Sequence, residues 1–404
     1  MKKYWLVLFP DTFLWIKENK GIIYNSKKFK HFIFSSSQTI HELCNTLSDL
    51  DNLYSVEISE TMLENENIKK WVNHITSIEA GCFIEQNGID KKIISYYPIL
   101  SVQNGFDRIK WEHELNIGGK IINNLNELVF YVNGSIHGSD EIFRQKHYPI
   151  KLDKSLEINL IKSFVNQCKN EMLTQITFIG DMVNYKSFEL LRDWCLSNNQ
   201  NVEIIMLAED IEKDISKFKG LNSDNFKISV IVNNYLAFSK HFELYQSIIE
   251  NVSFAFYVKS INEFESVFSI VEELNIINYS IVPLFDGTNT DFFAENIYMA
   301  KDEFETIKLS KREVFANMTL NTNFFGKLTI MPDSKIYSNV NYDPLGTIGD
   351  PIYDMIYKEM TDGNAWFQIR DKEPCQNCIY QWLCPSPGCY EQAIGKLNLC
   401  HISE

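Results

Sequence analysis

The chain has 404 residues, 45% of them hydrophobic, which is enough for a sizeable core and two or three domains at about 150 residues each. Lys and Arg total 38 against 53 Asp and Glu, a net charge of −15; that excludes the basic footprint of a general nucleic-acid binder and leaves a basic peptide as an acceptable partner. No run of 18 apolar residues exists to span a membrane, and the apolar run Tyr4–Phe9 stops at Pro10 and Asp11, too short for a secretory signal, so a cytoplasmic protein is expected.

Residues 1–85 read as a first unit. Tyr4–Phe9, Thr12–Ile16, Gly21–Tyr24 and Phe29–Phe34 are short strand-like runs divided by turn signals at Pro10-Asp11 and around Gly21. Two amphipathic stretches follow. Ser37–Leu47 sets Ile40, Leu43, Cys44 and Leu47 on one face, and Asn65–Ile78 does so with Ile68, Trp71, Val72 and Ile75. Ser59 to Met62 offers a cap ahead of the second. A small sheet followed by helices is a winged-helix-like layout. Residues 86–120, punctuated by Gly88 and Pro98, read as a connector.

Residues 121–310 alternate. Leu128–Val132, Gln175–Ile179, Val202–Leu207, Lys227–Val232, Ser253–Val258 and Tyr279–Leu284 are strand-like, and amphipathic segments such as Leu156–Cys168, Tyr185–Leu196 and Phe264–Leu274 lie between them. Strand–helix alternation implies an α/β unit with a parallel sheet and right-handed crossovers. Six such units predict an open, partial (β/α)6 barrel, with its chemistry in the loops after the strands. Beyond residue 311, Leu328–Tyr337 reads as a hairpin and Pro351–Met360 as a helix.

The end of the chain is rich in cysteine. Cys375, Cys378 and Cys384 are spaced C-x2-C-x5-C, with Cys389 and Cys400 following. The short first turn aims two thiolates at one point, so the group suits a metal centre. Four thiolates hold an iron–sulfur cluster, and structural zinc takes the same ligands, though C-x5-C is wider than the usual zinc spacing. Disulfides do not suit a reducing compartment. Cys44, Cys82, Cys168 and Cys195 fall in hydrophobic patterns and read as core residues. No glycine-rich phosphate loop is present.

This order of parts resembles the radical SAM proteins with a C-terminal SPASM domain that modify ribosomal peptides. The stretches CIYQWLCPSP and IGKLNLCHI, with KKYWLVLFPDTFLW and GIIYNS near the N-terminus, resemble more closely the pseudo-radical-SAM proteins of Bacteroidales peptide-maturation clusters. The likeness covers both ends strongly and the middle weakly. An active member carries C-x3-C-x2-C in the loop after the first barrel strand. Here that loop, residues 135–149, has no cysteine; His137 and His147 read as solvated loop residues. In place of the glycine-rich turn after the second strand stands Gly180-Asp181-Met182. The resemblance therefore implies no S-adenosylmethionine site.

It further implies a SPASM domain over 311–404 with one [4Fe–4S] cluster on Cys375, Cys378, Cys384 and Cys400. The second cluster of the pattern lacks its ligands: Asn323 and Asn339 stand near the expected cysteines, Ser334 near a usual glycine, and Cys389 is left as a free thiol or packing residue. Lys396 and His401 are placed to donate hydrogen bonds to the sulfurs. Residues 1–85 correspond to the recognition element that grips a leader peptide by β-augmentation, with Phe32, Ile33, Phe34 and Trp71 as contact residues. The function implied is a non-catalytic partner that binds a precursor leader and assists an active radical SAM maturase, presenting substrate or relaying electrons. The alternatives are an S-adenosylmethionine-independent peptide-modifying enzyme and a scaffold with a purely structural metal. No nucleic acid or membrane partner is implied.

Overall fold

The computed structural model describes residues 2–86, 92–99, 118–134, 142–148, 150, 153–197, 200–219, 225–245, 248, 252–363 and 365–402. Most of the expected connector, residues 135–141 and His137 lie outside these.

The N-terminal region holds two antiparallel sheets, in the orders β5-β1-β6 and β2-β3-β4. The strands are β1 (Lys3–Leu8), β2 (Thr12–Lys17), β3 (Lys20–Asn25), β4 (Lys30–Ser35), β5 (Ser55–Ser59) and β6 (Gly81–Glu85), with helices α1 (Gln38–Ser48) and α2 (Glu66–Ser77). The sequence reading did not place β5 and β6. The cap of α2 also moves: the Asn65 side chain accepts from the Asn67 amide, while Ser59 serves the short turn at Met62. The apolar faces of α1 and α2 close on Leu6, Leu8, Ile23, Val56 and Ile58 in one core.

The second sheet has two buried faces. Ile23, Leu14, Phe32 and Phe34 turn toward α1 and α2. Phe13, Ile22 and Tyr24, one residue out of phase, pack on Phe304, Val314, Tyr380 and Leu383 from the far end of the chain. The Tyr24 hydroxyl donates to the Leu309 carbonyl and accepts from the Leu309 amide, both at 2.7 Å.

The larger sheet is α/β and mostly parallel, with nine strands among the described residues in the order β12-β11-β10-β9-β8-β7-β13-β14-β15. Here β7 (Glu127–Tyr131), β8 (Gln175–Ile179), β9 (Asn201–Leu207), β10 (Phe226–Val232), β11 (Val252–Val258) and β12 (Tyr279–Pro283) follow one another in chain order, all parallel. Helices α3 (Ile158–Gln167), α4 (Phe188–Leu196), α5 (Tyr235–Tyr245) and α6 (Ile261–Glu273) lie along the chain between them. The six strands fall within a residue or two of the predicted runs. Burial on both faces makes a parallel strand a near-continuous apolar run, which sequence displays well.

Beyond them, β13 (Lys327–Ile330) adds parallel to β7 and turns back through β14 (Lys335–Tyr337) to β15 (Gly346–Thr347). The sheet thus runs on past residue 311. Ser334 in the hairpin turn has φ +71°, the left-handed region where glycine is usual. Further helices are α7 (Thr290–Asn296), α8 (Lys311–Thr319), α9 (Ile352–Asp362) and α10 (Cys389–Ile394). Glu359, fully buried on α9, accepts from the Ser338 hydroxyl and from the Ala365 and Trp366 amides at 2.7–2.8 Å.

One face of the large sheet packs on the helices through Phe130, Phe178, Ile204 and Phe256. The opposite face is layered. Toward the strand C-terminal ends it is apolar, with Tyr131, Ile179, Ile205, Ile231, Tyr257 and Leu284. One pleat nearer the N-terminal ends it turns polar, with Thr177, Glu203, Ser229 and Ser253; Ser229 bonds to Glu203 and, at 2.9 Å, to Ser253. Among the described residues, no helix is long and apolar enough to cross a membrane.

Candidate functional site

A cavity of about 740 Å³ connects the polar inner face of the large sheet with the cysteine-rich end of the chain. Cys375, Cys378, Cys384, Cys389 and Cys400 all line it. The structure thus brings the four predicted ligands to one wall. Their thiols lie within electrostatic reach of one another: burial first, then the neighbouring thiols, raise the pKa of Cys378, and burial pushes Cys384 up to about 12. Among the described residues, no three His, Cys, Asp or Glu side chains stand close enough to hold a single ion. A polynuclear cluster spans a wider ring of thiolates than one zinc ion, whose bonds to sulfur are only about 2.3 Å.

Two hydrogen-bond donors face these sulfurs. Arg370 Nη1 lies 3.8 Å from Cys375 Sγ, and Asn398 Nδ2 lies 3.3 Å from Cys400 Sγ. Arg370 is held by the Pro385 carbonyl at 2.6 Å and by Glu391 at 2.7 Å, with its side chain 9% exposed. Burial works against its charge, and Cys384, Glu391 and Cys375 outweigh it, leaving its pKa above the ordinary value. Four thiols with a fixed cation and an amide donor beside them fit a thiolate-ligated cluster. Iron would displace the thiol protons that burial retains, so uptake is linked to pH. Bound there, such a cluster supplies one-electron redox chemistry or a structural staple.

These donors replace the two anticipated ones. Lys396 Nζ instead lies over the Tyr298 ring, 5.2 Å from its centroid, and His401 Nε2 faces the Ala294 carbonyl at 2.7 Å. Proximity in sequence to Cys400 suggested the wrong side chains. The signals for the right ones were an arginine five residues before Cys375 and an asparagine two before Cys400, neither distinctive alone.

Where the family pattern has further ligands, this chain has an amide network. Asn323 Nδ2 donates to the Ser386 carbonyl at 3.0 Å, and Asn339 Nδ2 to Gln392 Oε1 at 3.3 Å. Cys389 faces the same space; burial pushes its thiol up to about 11, opposed by Lys146 and Lys327. Of the other four cysteines, Cys44, Cys168 and Cys195 are buried as expected, while Cys82 is only half-buried.

The described part of the loop after β7 lies across the strand ends. Gln145 is buried; its Nε2 donates to the Phe285 carbonyl at 2.7 Å and its Oε1 accepts from the Phe285 amide at 2.9 Å. Tyr148 and Ile150 pack on the apolar layer, and Tyr257 donates to the His147 carbonyl at 3.1 Å. His147 is therefore not a solvated loop residue: burial, with Lys327 and Lys146 nearby, pushes its pKa down to about 3. After β8, Gly180 has φ +147° and a Cβ there would lie 2.2 Å from Asn133 Oδ1. Asp181 is buried, and its carboxylate accepts from Asn184 N at 3.1 Å and Asn184 Nδ2 at 2.7 Å. That acid is occupied in holding its own turn.

The four peptide-contact candidates lie together at the N-terminal unit. Among the described residues, β4 is an edge strand, paired with β3 alone. Ile33 is exposed; Phe32 and Phe34 point the other way, against His74 at 5.3 Å and Trp71 at 5.9 Å between ring centroids. Trp71 corrects the expectation. It is 2% exposed and covered by Phe34, a core residue rather than the wall of an open groove.

No family model matches the chain, and neither does any curated protein. Among solved structures, it is similar to SuiB of Streptococcus suis bound to the precursor peptide SuiA, with TM-score 0.48, 13% identity and 99% of each chain covered. SuiB bound to S-adenosylmethionine gives TM-score 0.40 and 11% identity over 98% of this chain and 99% of that one. The enzyme anSMEcpe with AdoMet bound gives 0.45 and 13%, over 67% of this chain and 95% of that one.

Proposed function

We propose that this chain is a pseudo-radical-SAM partner in the maturation of a ribosomally made peptide. Residues 1–85 bind the precursor leader along the free edge of β4. One [4Fe–4S] cluster sits on Cys375, Cys378, Cys384 and Cys400, in a SPASM domain over residues 311–404. The chain presents substrate to an active radical SAM maturase, or relays electrons to it, in the cytoplasm.

The observation that carries this reading is the segment after the first barrel strand. Residues 135–149 contain no thiol, and Tyr148 and Ile150 cover the strand ends where such barrels keep their chemistry. Three thiolates are required there for a cluster that leaves one iron free for the cofactor. The chain supplies none, while its four C-terminal thiols line the far end of the cavity that opens from the sheet. The edge position of β4 supports the peptide half of the reading, because unpaired N–H and C=O groups on an edge accept an added strand.

The test is anaerobic reconstitution followed by co-purification with a co-expressed active radical SAM maturase. About four irons and four sulfides per chain are expected, with a stable complex and no 5′-deoxyadenosine formed by the isolated chain under dithionite. Stoichiometric zinc without iron, or turnover of S-adenosylmethionine, would overturn it.

A further inference from the structure

The geometry points to a carboxylate-binding site in the cavity beside Cys389, formed by Lys146 from the loop after β7 and Lys327 at the start of β13. Neither the cluster nor the leader groove enters this inference, and it stands apart from the function proposed above.

The cavity is lined by five Lys and Arg side chains against two carboxylates, Glu203 and Glu391, in a chain whose net charge is −15. The two carboxylates are already paired: Glu391 with Arg370 at 2.7 Å, and Glu203 with Lys227 at 3.8 Å. Lys327 meets Glu127 at 3.0 Å, outside the cavity lining. Lys146 has no carboxylate partner among the described residues; its ammonium lies 5.2 Å from the centroid of the Tyr390 ring. The local sum at Lys146, Lys327 and Glu127 is therefore one positive charge, which one carboxylate would neutralise.

The electrostatics agree with the placement. Desolvation lowers the Lys146 pKa, the Cys389 thiol raises it and Lys327 lowers it, so the two ammonium groups and the thiol lie within electrostatic reach of one another. His147 is neutral there and adds no charge. Tyr131, Ile231 and Tyr257 supply an apolar wall, so the carbon chain behind a carboxylate is accommodated too. Cavities of this size, mostly apolar with a few convergent polar groups, are the usual form of small-ligand sites.

Cys389 provides the readout. Iodoacetate carries a carboxylate and iodoacetamide is its neutral isostere. With either reagent the Cys389 thiolate forms an S–C bond, the C–I bond breaks, iodide leaves, and the thiol proton goes to buffer. Both are applied to the full-length, anaerobically reconstituted protein, and alkylation at each cysteine is followed by peptide mapping. The rate ratio of iodoacetate to iodoacetamide should be about tenfold higher at Cys389 than at Cys82, a modest share of the attraction between close charges in a partly buried site. Lys146→Gln should reduce the ratio to that of Cys82, and Lys146→Arg should keep most of it, with the melting temperature of both unchanged. Protection by the peptide Ac-Gly-Glu-Gly-NH2 but not by acetate identifies a peptide side chain as the ligand; protection by both identifies any small acid. Equal ratios at the two cysteines, or no alkylation of Cys389 by either reagent, overturn the site. The ratio is read whether or not iron occupies the other thiols, so its failure is distinct from failure of the cluster assignment.

Discussion

Replacing Ile33 by proline separates leader binding from folding, and the ladder of β3 and β4 says why. The Ser36 amide donates to the Asn19 carbonyl at 2.8 Å. Bonded pairs alternate along an antiparallel ladder, so Phe34–Gly21 and Phe32–Ile23 are the next bonded pairs. The backbone N–H of Ile33, in the intervening pair with Ile22, therefore points to the open edge. Ile33→Pro removes an outward donor and an exposed side chain, at a cost to the fold below about 1 kcal/mol, in the range of ordinary surface changes. An incoming strand loses that hydrogen bond and meets the pyrrolidine ring. The loss is about 1–3 kcal/mol, or about ten- to hundredfold in Kd. Phe32→Pro is the contrasting variant: it removes a donor inside the sheet and a half-buried ring, costing about 3 kcal/mol or more. Fluorescence anisotropy with a labelled precursor leader, alongside thermal melts, reads both. Unchanged leader affinity in Ile33→Pro at an unchanged melting temperature would refute the edge-strand argument.

Cys378→Ala should lose the iron and lower the melting temperature, since ligation is coupled to folding, while Cys389→Ala should retain it; iron assay and the visible spectrum distinguish them. Glu359→Leu should destabilise by about 3 kcal/mol, because the Ala365 and Trp366 amides and the Ser338 hydroxyl lose a shared buried acceptor; denaturant titration measures it. His147 has its folded pKa depressed to about 3, so its stabilising contribution is present above the unfolded value of about 6.5 and is lost as pH falls toward 3. Stability should decline over that window by at most about 1.4 kcal/mol per pH unit, one proton's worth, and His147→Gln should flatten the decline.

The central strands of the large sheet were readable because they are largely apolar runs, buried against the helices on one face. The N-terminal sheets were harder. Val56 and Ile58 do alternate with polar neighbours in β5, but β5 lies between two helices and pairs with β1 some fifty positions away. A contact at that separation leaves no local mark. The same limit applied to Arg370 and Asn398, whose roles depend on where Cys375 and Cys400 arrive. Trp71 was visible as part of an apolar face, yet nothing in that periodicity could tell that Phe34 would cover it. The polar layer at Glu203, Ser229 and Ser253 was written in the strands, as polar breaks in their apolar runs, but its meaning as a cavity wall needed the sheet.

The sheet β2-β3-β4 is a partition with no slack on either side. Ile23 belongs to the core around α2, and its neighbours Ile22 and Tyr24 belong to the core that contains Tyr380, Leu383, Cys378 and Cys384. Anything that reshapes one surface of so thin a wall is felt on the other, because close-packed side chains do not deform independently. For a strand docking on β4 and a cluster assembling on those thiols, the law of linkage then demands symmetry: whatever factor metal loading adds to peptide affinity, the peptide must return to the affinity for metal. A leader could in this way report to the cell, by its tightness alone, whether the centre behind the wall has been built.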